Sequence, residues 1–230
     1  MLKVDEKLLN SVPDFFNDQD TGNWIQRLKQ LKLPLNIEES NILSMEWSDL
    51  QEKKDPLLGH YASEKWRKFV LATFMADLLS YNTPVDQVNF ERLLFVMHAF
   101  PQGFRTWWIQ LANDSWIPVG YTGWYPMLET TFELFERNPE KLKDRMVVPQ
   151  LSSHYLYLFN FSVVPTLKKT PFSRLLMKGF LKDINEQQAQ GLACITVSED
   201  GVRVANSLEM SCKGHLTIDG IAEDVFTVRC

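Results

Sequence analysis

The sequence predicts an α+β fold in which helices pack on an α/β-type mixed sheet. The chain has 230 residues and 45% of them are hydrophobic, which is enough for a substantial core. Apolar residues recur at helical spacing through the first hundred residues, and near residue 105 the period changes from that of a helix to that of a strand. Strand patterns then alternate with helix patterns to the C-terminus, which indicates a mixed sheet rather than a helical bundle.

The first hundred residues contain three helical patterns and one short strand pattern. Helical spacing covers 24–31, and the apolar run 41–45 is short enough for a first strand. Ser63 is a candidate N-cap for a helix whose apolar stripe contains Trp66, Phe69, Val70, Phe74 and Leu78. A third helix is predicted to start at 83–86, where a Thr cap precedes Pro at the first helical position and a carboxylate follows. Its predicted stripe contains Val85, Val88, Leu93, Leu94 and Met97.

The middle of the chain contains the strongest strand patterns. Strand patterns at 105–112 and 116–121 flank an Asn-Asp-Ser turn and predict a β-hairpin. The segment 155–164 is the strongest strand pattern of all, and a helix over 172–184 separates it from a buried strand over 192–197. Because a crossover helix joins parallel strands, these two strands are predicted to be parallel neighbours in one sheet with the hairpin.

The remaining elements complete the predicted sheet. A helix over 128–137 follows the hairpin, and a short helix over 202–210 begins after a cap at Ser198 or Asp200. A closing hairpin is predicted from the strand patterns 215–218 and 224–228, which flank an Asp-Gly turn.

Composition and charge exclude several classes of protein. Acidic residues exceed basic ones, 29 to 24, and this argues against a nucleic-acid partner. The longest apolar run is too short to span a membrane, and acids at the N-terminus argue against a signal peptide. We therefore expect a cytoplasmic protein, monomeric or homodimeric, with no membrane partner.

The cysteines and histidines predict neither disulfides nor a metal site. Cys194, Cys212 and Cys230 lie far apart in the chain, and the four histidines form no metal-spaced cluster. Cys194 falls in an apolar strand pattern, so we expect burial to raise the pKa of its thiol and make it inert.

A strand, a short cationic turn and a helix N-terminus follow one another within 161–176. The turn contains Lys168 and Lys169 and leads into a helix that begins near Phe172. Unpaired backbone N–H groups and the positive end of the helix dipole favour anions, so this segment could bind a phosphate-bearing ligand. An ordinary solvated turn would have the same residues, and both interpretations stay open at this point.

Two short motifs carry a resemblance to a known family. Val119-Gly120-Tyr121 and Val163-Val164-Pro165-Thr166-Leu167-Lys168 resemble motifs of the GNAT superfamily of N-acetyltransferases, with Leu167 and Lys168 where the family has Tyr and Arg. The segment 168–173 corresponds to the family's coenzyme A loop, with Pro171 and Ser173 in place of its glycines. The resemblance covers the order of elements from about residue 41 onwards. It implies a GNAT-like acyl-CoA-binding domain over 41–230, preceded by an additional helical arm over 1–40.

The resemblance also implies which residues bind coenzyme A. The backbone of Phe161 and Val163 would pair with the pantetheine arm. The diphosphate would lie against the loop and the helix start, at Lys168, Lys169, Thr170, Phe172 and Ser173. Asn206 would contribute from the helix that follows the next strand.

The candidate catalytic residues are Glu129, Tyr157 and Ser207. Glu129 follows the hairpin and Tyr157 lines the strong strand, both near the acceptor site that the resemblance implies. Ser207 is the candidate donor to the leaving thiolate, because 204–210 contains no tyrosine, where the family often has one. The ordinary alternatives are an exposed helix face for Glu129 and core packing for Tyr157.

These residues favour an acyl-CoA-dependent N-acyltransferase that transfers the acetyl group of acetyl-CoA to an amine. The alternative is a catalytically silent GNAT-like module that binds coenzyme A or a protein partner, and the missing tyrosine and loop glycines favour it. A purely structural helical adaptor would not need the C-terminal alternation of strands and helices.

Overall fold

The computed structural model describes residues 8–12, 30, 33, 37–50, 63–81, 87–112, 114–142, 146–218 and 221–230. The helix predicted at 24–31 and the helix start predicted at 83–86 lie outside these ranges. Most of the N-terminal arm predicted over 1–40 lies outside them as well.

Seven strands and six α-helices occur in the described ranges. The strands are β1 (Ile42–Glu46), β2 (Phe104–Gln110), β3 (Trp116–Met127), β4 (Tyr155–Val163), β5 (Gly191–Thr196), β6 (Ser211–Ile218) and β7 (Ile221–Arg229). The helices are α1 (Trp47–Leu50), α2 (Glu64–Ser80), α3 (Phe90–Ala99), α4 (Glu129–Arg137), α5 (Pro171–Asn185) and α6 (Glu199–Ser207).

The strands are hydrogen-bonded in the order β1-β2-β3-β4-β5-β7-β6. β4 and β5 are parallel neighbours joined through α5, whereas β1–β2, β5–β7 and β6–β7 are antiparallel. The α+β class, the mixed sheet and the parallel pair predicted from the sequence are therefore confirmed.

The chain divides into two compact units. The first contains Met1–Thr122 and Ser162–Lys178, and the second contains Gly123–Phe161 and Gly179–Cys230. β3, β4 and α5 each contribute residues to both units.

In the first unit, two helix starts depend on side-chain caps. The Ser63 hydroxyl accepts a hydrogen bond from the Trp66 amide at 3.0 Å, so this predicted cap is confirmed. α3 begins at Phe90, where Asn89 accepts from the Arg92 amide at 3.1 Å. The predicted stripe is therefore wrong in placing Val88 inside the helix, because Asn89 supplies the cap after it.

β2 is buried on both faces. Trp107 and Trp108 are adjacent in the chain and point to opposite faces, yet they are 6% and 0% exposed. β2 lies between β1 and β3, and a strand in the interior of a sheet can be covered on both sides.

A fully buried carboxylate connects three elements of the first unit. Asp77 of α2 accepts a hydrogen bond from the Tyr121 hydroxyl of β3 at 2.9 Å and from the Val88 amide at 2.8 Å. Both Asp77 and Tyr121 are 0% exposed. A buried charge is tolerated only with such partners, so this carboxylate fixes α2, the approach to α3 and β3 relative to one another.

Gly120 allows β3 to lie close to the chain at the end of β4. A Cβ atom at this position would lie 2.7 Å from the carbonyl oxygen of Ser162 and 2.9 Å from a methyl group of Leu176. Only glycine fits so close an approach, which explains the glycine of the Val119-Gly120-Tyr121 motif without any catalytic role.

In the second unit, aromatic side chains attach α4 to the sheet. The Phe132 ring stacks on the Tyr155 ring with centroids 4.6 Å apart, and Phe135 packs against Tyr157 at 5.7 Å. The Arg229 guanidinium lies 5.3 Å from the centre of the Phe132 ring, and its Nε donates to both carboxylate oxygens of Glu136 at 3.1 Å. These contacts bring α4 together with the start of β4 and the end of β7.

Replacement of Gly120 by alanine should destabilise the protein. We expect the free energy of unfolding to fall by about 1–3 kcal/mol, because the new methyl group meets a backbone oxygen of the β4 segment. Gly201→Ala is the matched control, since its nearest atom is Thr196 Cβ at 3.2 Å and alanine favours the helix there. Urea unfolding of both variants measures the difference, and a Gly120→Ala variant as stable as Gly201→Ala would contradict the close approach.

The buried Tyr121 hydroxyl should make stability fall at alkaline pH. Burial, ahead of the charge of Asp77, raises the pKa of Tyr121 well above its ordinary value. This group's contribution to stability is complete below the unfolded-state pKa of about 10 and is lost as the pH rises towards the native pKa. Above pH 10 only the unfolded chain releases this proton, so the free energy of unfolding should drop by about 1.4 kcal/mol per pH unit.

Tyr121→Phe provides the control for this alkaline slope. All other titrating groups are common to both proteins, so the slope between pH 10 and 11, measured by urea unfolding, should be shallower in the variant by about that amount. Equal slopes in the two proteins would show that Tyr121 does not retain its proton in the fold.

Candidate functional site

The turn after β4 is built from short-range backbone hydrogen bonds. The Leu167 amide donates to the Val164 carbonyl at 3.0 Å, and the Lys168 amide donates to the Pro165 carbonyl at 3.3 Å, which closes a 3-10 turn. Lys169 then adopts a left-handed conformation with φ 60°, and this reverses the chain into α5. The strand, turn and helix start predicted from the sequence are therefore present.

The first turn of α5 presents backbone amides that the helix itself does not use. Pro171 is the first helical residue and has no N–H group, so the amides of Phe172 and Ser173 are the first that the helix presents. The Thr170 hydroxyl donates to the Leu167 carbonyl at 2.7 Å, and the Ser173 hydroxyl donates to the Thr170 carbonyl at 2.9 Å. Both hydroxyls thus hold the shape of the turn.

The charge around this helix start is positive. Lys168 is half-buried and Lys169 is exposed at the turn. The segment 165–178 contains four basic residues and no acidic one, whereas the whole chain has a net charge of -5. Local cations and the helix dipole both favour an anion at this position.

β4 separates from β5 after a short parallel ladder. The paired residues are Tyr155 with Gly191, Leu156 with Leu192 and Tyr157 with Ala193. Beyond the last pair, β5 continues to Thr196. Its other edge is paired with β7 along the whole strand, from Gly191 with Arg229 to Thr196 with Asp224. The part of β4 that follows Tyr157, including Phe161, therefore has an edge that β5 does not cover.

Backbone alternation gives the direction of the last amides of β4. The Val164 amide donates to the Val119 carbonyl of β3 at 2.9 Å. Successive residues of an extended strand direct their amides to opposite edges, so the Val163 amide is directed away from β3. By the same alternation, the Phe161 amide is directed to the same edge of β4 as the Val163 amide.

The candidate residues near the start of β4 lie in the second unit. The Tyr155 hydroxyl donates to Glu129 Oε1 at 3.0 Å, and this hydrogen bond, ahead of burial, raises the pKa of Tyr155. Tyr157 is buried, with its ring 5.2 Å from that of Tyr125. The structure thus brings Glu129 to β4, two residues before Tyr157.

The other candidates of the second unit lie on β4 and α6. The Phe161 ring packs against Phe180 with centroids 5.6 Å apart. Asn206 and Ser207 are exposed at the end of α6, and the Ser207 hydroxyl donates to the Val204 carbonyl at 2.7 Å. The helix cap predicted at Ser198 is present, since Ser198 accepts from the Gly201 amide at 3.2 Å.

Cys194 is unsuited to nucleophilic catalysis. It is a buried residue of β5, and its Sγ lies 3.9 Å from the Sδ of Met210. Burial raises the pKa of its thiol to about 12, so almost none of it is thiolate at neutral pH. The expectation of an inert thiol is confirmed.

Two further searches concern metals and membranes. Within the described ranges, no group of three or more His, Cys, Asp or Glu side chains is arranged to hold a metal ion. None of the helices in those ranges is long and apolar enough to cross a lipid bilayer.

Comparison with known proteins gives the fold. No family model matches the sequence, and no curated protein matches it at a significant level. Among solved structures, the loading GNATL domain of CurA from Lyngbya majuscula has a TM-score of 0.52 at 11% identity, covering 70% of this chain and 92% of its own. The chain has the GNAT fold. The resemblance stated from the two motifs is therefore confirmed at the level of the fold.

Two further GNAT-fold structures contain acyl-CoA ligands. The GphF GNAT-like decarboxylase in complex with isobutyryl-CoA has a TM-score of 0.51 at 13% identity, covering 70% of this chain and 94% of its own. NAA60 of Arabidopsis thaliana in complex with acetyl-CoA has a TM-score of 0.50 at 11% identity, covering 82% of this chain and 99% of its own. At such identities the likeness is one of fold.

Sequence reasoning missed the side-chain network around Tyr155. Arg229 and Glu136 are 93 residues apart in the chain, and no local pattern relates them.

The burial of Cys194 predicts a selective reaction of the thiols. Cys212 and Cys230 are exposed, so a disulfide reagent at pH 8 should modify two thiols of the native protein quickly and the third only after unfolding. Cys212 should react first, because partial burial raises the pKa of Cys230. Cys194→Ala should show the same two fast thiols, and three fast thiols in the unsubstituted protein would contradict the buried position.

Proposed function

We propose that the protein is an acyl-CoA-dependent N-acyltransferase that transfers the acetyl group of acetyl-CoA to an amine. The observation that carries the proposal is that β4 leaves β5 after Tyr157 and then runs into a basic turn at the N-terminus of α5. The GNAT fold supports it, because structures of that fold have been solved with acetyl-CoA and with isobutyryl-CoA. Since one of these is a decarboxylase, acyl-CoA binding has broader support than the amine acceptor.

The residues of the turn fit a diphosphate. The amides of Lys169, Thr170, Phe172 and Ser173 provide neutral donors, and the ammonium groups of Lys168 and Lys169 provide charge. Donors of these two kinds are what phosphate oxygens bind at helix N-termini. Pro171 replaces a family glycine at little cost here, because a first helical residue has no intrahelical partner for its amide.

The uncovered edge of β4 fits an amide-bearing arm. We infer that the backbone of Phe161 and Val163 binds the pantetheine part of the substrate, which itself contains peptide-like amides. Backbone groups at an open strand edge need partners, and a ligand that pairs like a strand satisfies them.

The chemistry needs no covalent intermediate on the protein. The neutral amine nitrogen forms a bond to the acyl carbon, the bond from that carbon to sulfur breaks, the amine loses a proton and the leaving thiolate gains one. Glu129 is our candidate for the group that takes the proton, through water, and Tyr157 lines the same strand. We assign to Ser207 or Asn206 at most a hydrogen bond to the leaving sulfur, because neither is an acid at neutral pH.

A second function is favoured by one observation. α6 contains no tyrosine, and the Ser207 hydroxyl donates to its own helix, so a strong proton donor for the thiolate is missing from this element. A catalytically silent protein would still bind coenzyme A. The two functions differ in whether acetyl-CoA and an amine release free thiol.

The remaining parts of the proposal concern organisation and location. We propose that residues 41–230 form the acyl-CoA-binding domain, that the helical arm over 1–40 precedes it, and that the protein acts in the cytoplasm as a monomer or homodimer. The acidic composition supports a small-molecule or protein acceptor rather than a nucleic acid.

Reversal of the two lysine charges should abolish tight binding of acetyl-CoA. We expect Lys168→Glu with Lys169→Glu to weaken binding by about 100-fold or more, because charge-assisted hydrogen bonds to phosphate contribute about 1.5–3 kcal/mol each. Calorimetric titration at two salt concentrations measures this. Thermal stability without ligand should change much less than affinity for the Lys169→Glu change alone, since Lys169 is exposed and exposed charges contribute little to folding.

Pantetheine without phosphates is the control for this variant. It should bind both proteins equally, which separates a loss of phosphate contacts from a collapsed site. Equal acetyl-CoA affinity in both proteins would refute the diphosphate site. If acetyl-CoA binds but no amine in a panel releases thiol, the silent module is the correct function.

A further inference from the structure

Three large apolar side chains of the second unit are exposed, one directly before α4 and two after it. Leu128, Met146 and Leu151 are 49%, 41% and 85% exposed, and we call these three side chains the apolar rim. Among the described residues, three of the six large hydrophobic side chains with such exposure belong to the rim. Clustered exposed apolar side chains usually mark a surface that binds something.

Hydrogen bonds hold the rim in one place. The Gln150 amide donates to the Pro126 carbonyl at 2.8 Å, and the buried Tyr125 hydroxyl donates to the Val147 carbonyl at 3.0 Å. The Thr131 hydroxyl donates to the Met146 carbonyl at 3.4 Å. The segment that carries Met146 and Leu151 is thus attached to the end of β3 and the start of α4, on either side of Leu128.

A carboxylate lies directly beside the rim. Glu129 follows Leu128 in the chain and is exposed, and its Oε1 accepts the Tyr155 hydroxyl at 3.0 Å. Its second oxygen has no hydrogen-bonding partner among the described residues. An apolar surface next to an available carboxylate is complementary to a cationic group that carries an apolar chain.

This surface lies close to the place where β4 and β5 part. Tyr155, which holds Glu129, is two residues before the last parallel pair at Tyr157 and Ala193, or about 7 Å along the strand. The side chains of Tyr155 and Tyr157 point to the same face of the sheet, because they are two residues apart. β4 and β5 are paired up to Tyr157 and Ala193 and separate after them, and we call the space between the separated strands the opening. Glu129 and the rim therefore lie near its closed end, where the strands are still paired.

We propose that the acceptor is a primary amine attached to an apolar chain, and that Glu129 and the apolar rim bind it at this end of the opening. This inference rests on the proposed N-acyltransferase function and adds the class of acceptor. Glu129 attracts the ammonium form, and the rim covers the attached chain. The ammonium group gives one proton, through water, to Glu129, and the neutral nitrogen then attacks the acyl carbon.

The test compares two amines and one surface variant. n-Octylamine and ethanolamine are the acceptors, and thiol release from acetyl-CoA gives kcat/KM for each. The unsubstituted protein should prefer octylamine, and Leu128→Ser with Met146→Ser and Leu151→Ser should lower kcat/KM for octylamine by about tenfold or more while ethanolamine stays unchanged. The KM for acetyl-CoA should not change.

Phe95→Ser is the matched control, because Phe95 is as exposed as Leu128 and lies on α3 of the first unit. It should leave both amines unaffected. Equal use of octylamine and ethanolamine, or an equal loss for both in the triple variant, would overturn the acceptor class while leaving the proposed function intact.

Binding measured without turnover separates the two proposals. Calorimetric titration of octylamine in the presence of coenzyme A should give binding that the triple variant weakens by about tenfold or more and Phe95→Ser does not. If that result holds and no amine is acetylated, the surface is confirmed and the proposed reaction is wrong. If octylamine does not bind the unsubstituted protein, the inference about the rim is wrong.

Discussion

The early end of the β4–β5 ladder is the constraint on which the candidate site depends. Two parallel strands that stay paired to their ends would satisfy each other's backbone groups and leave no place for a ligand. Here the pairing stops after Tyr157 and Ala193, whereas β5 stays paired with β7 on its other edge from Gly191 to Thr196. The backbone of β4 is then available along its second half. A ligand that pairs with this backbone would need few special side chains, which is why the proposed function does not depend on the glycines and the tyrosine that the sequence lacks.

The two ends of β4 lie beside groups of opposite charge. The basic turn at Lys168 and Lys169 follows the C-terminal end of β4, whereas Glu129 is held at its N-terminal end by Tyr155. Under the proposed function, coenzyme A would meet the basic turn and the amine would meet Glu129.

The sequence predicted the fold where local pattern decides structure. Alternation, turn residues and Pro165 were sufficient for the hairpin, for β4 and for the start of α5, and the crossover rule gave the parallel pair. The start of α3 was missed because Asn89, an ordinary residue in the pattern, is the cap. The double-sided burial of β2 depends on neighbours that lie far away in the chain. Within the candidate site, the order of residues was enough to predict the turn and its lysines. The hydrogen bonds around Tyr155 and the apolar rim depend on residues that lie far apart in the chain, and no local pattern predicts them.

The pairing of Glu136 with Arg229 has a consequence for biosynthesis. The two residues are 93 positions apart, and Arg229 also covers one side of Phe132. A chain that emerges from the ribosome makes α4 and β4 well before β7, so Phe132 meets Tyr155 early and lacks the cover of Arg229 until the last strand is translated. Contacts of such long sequence separation form slowly. During synthesis one side of the Phe132 ring therefore stays exposed until the C-terminal strand has been made.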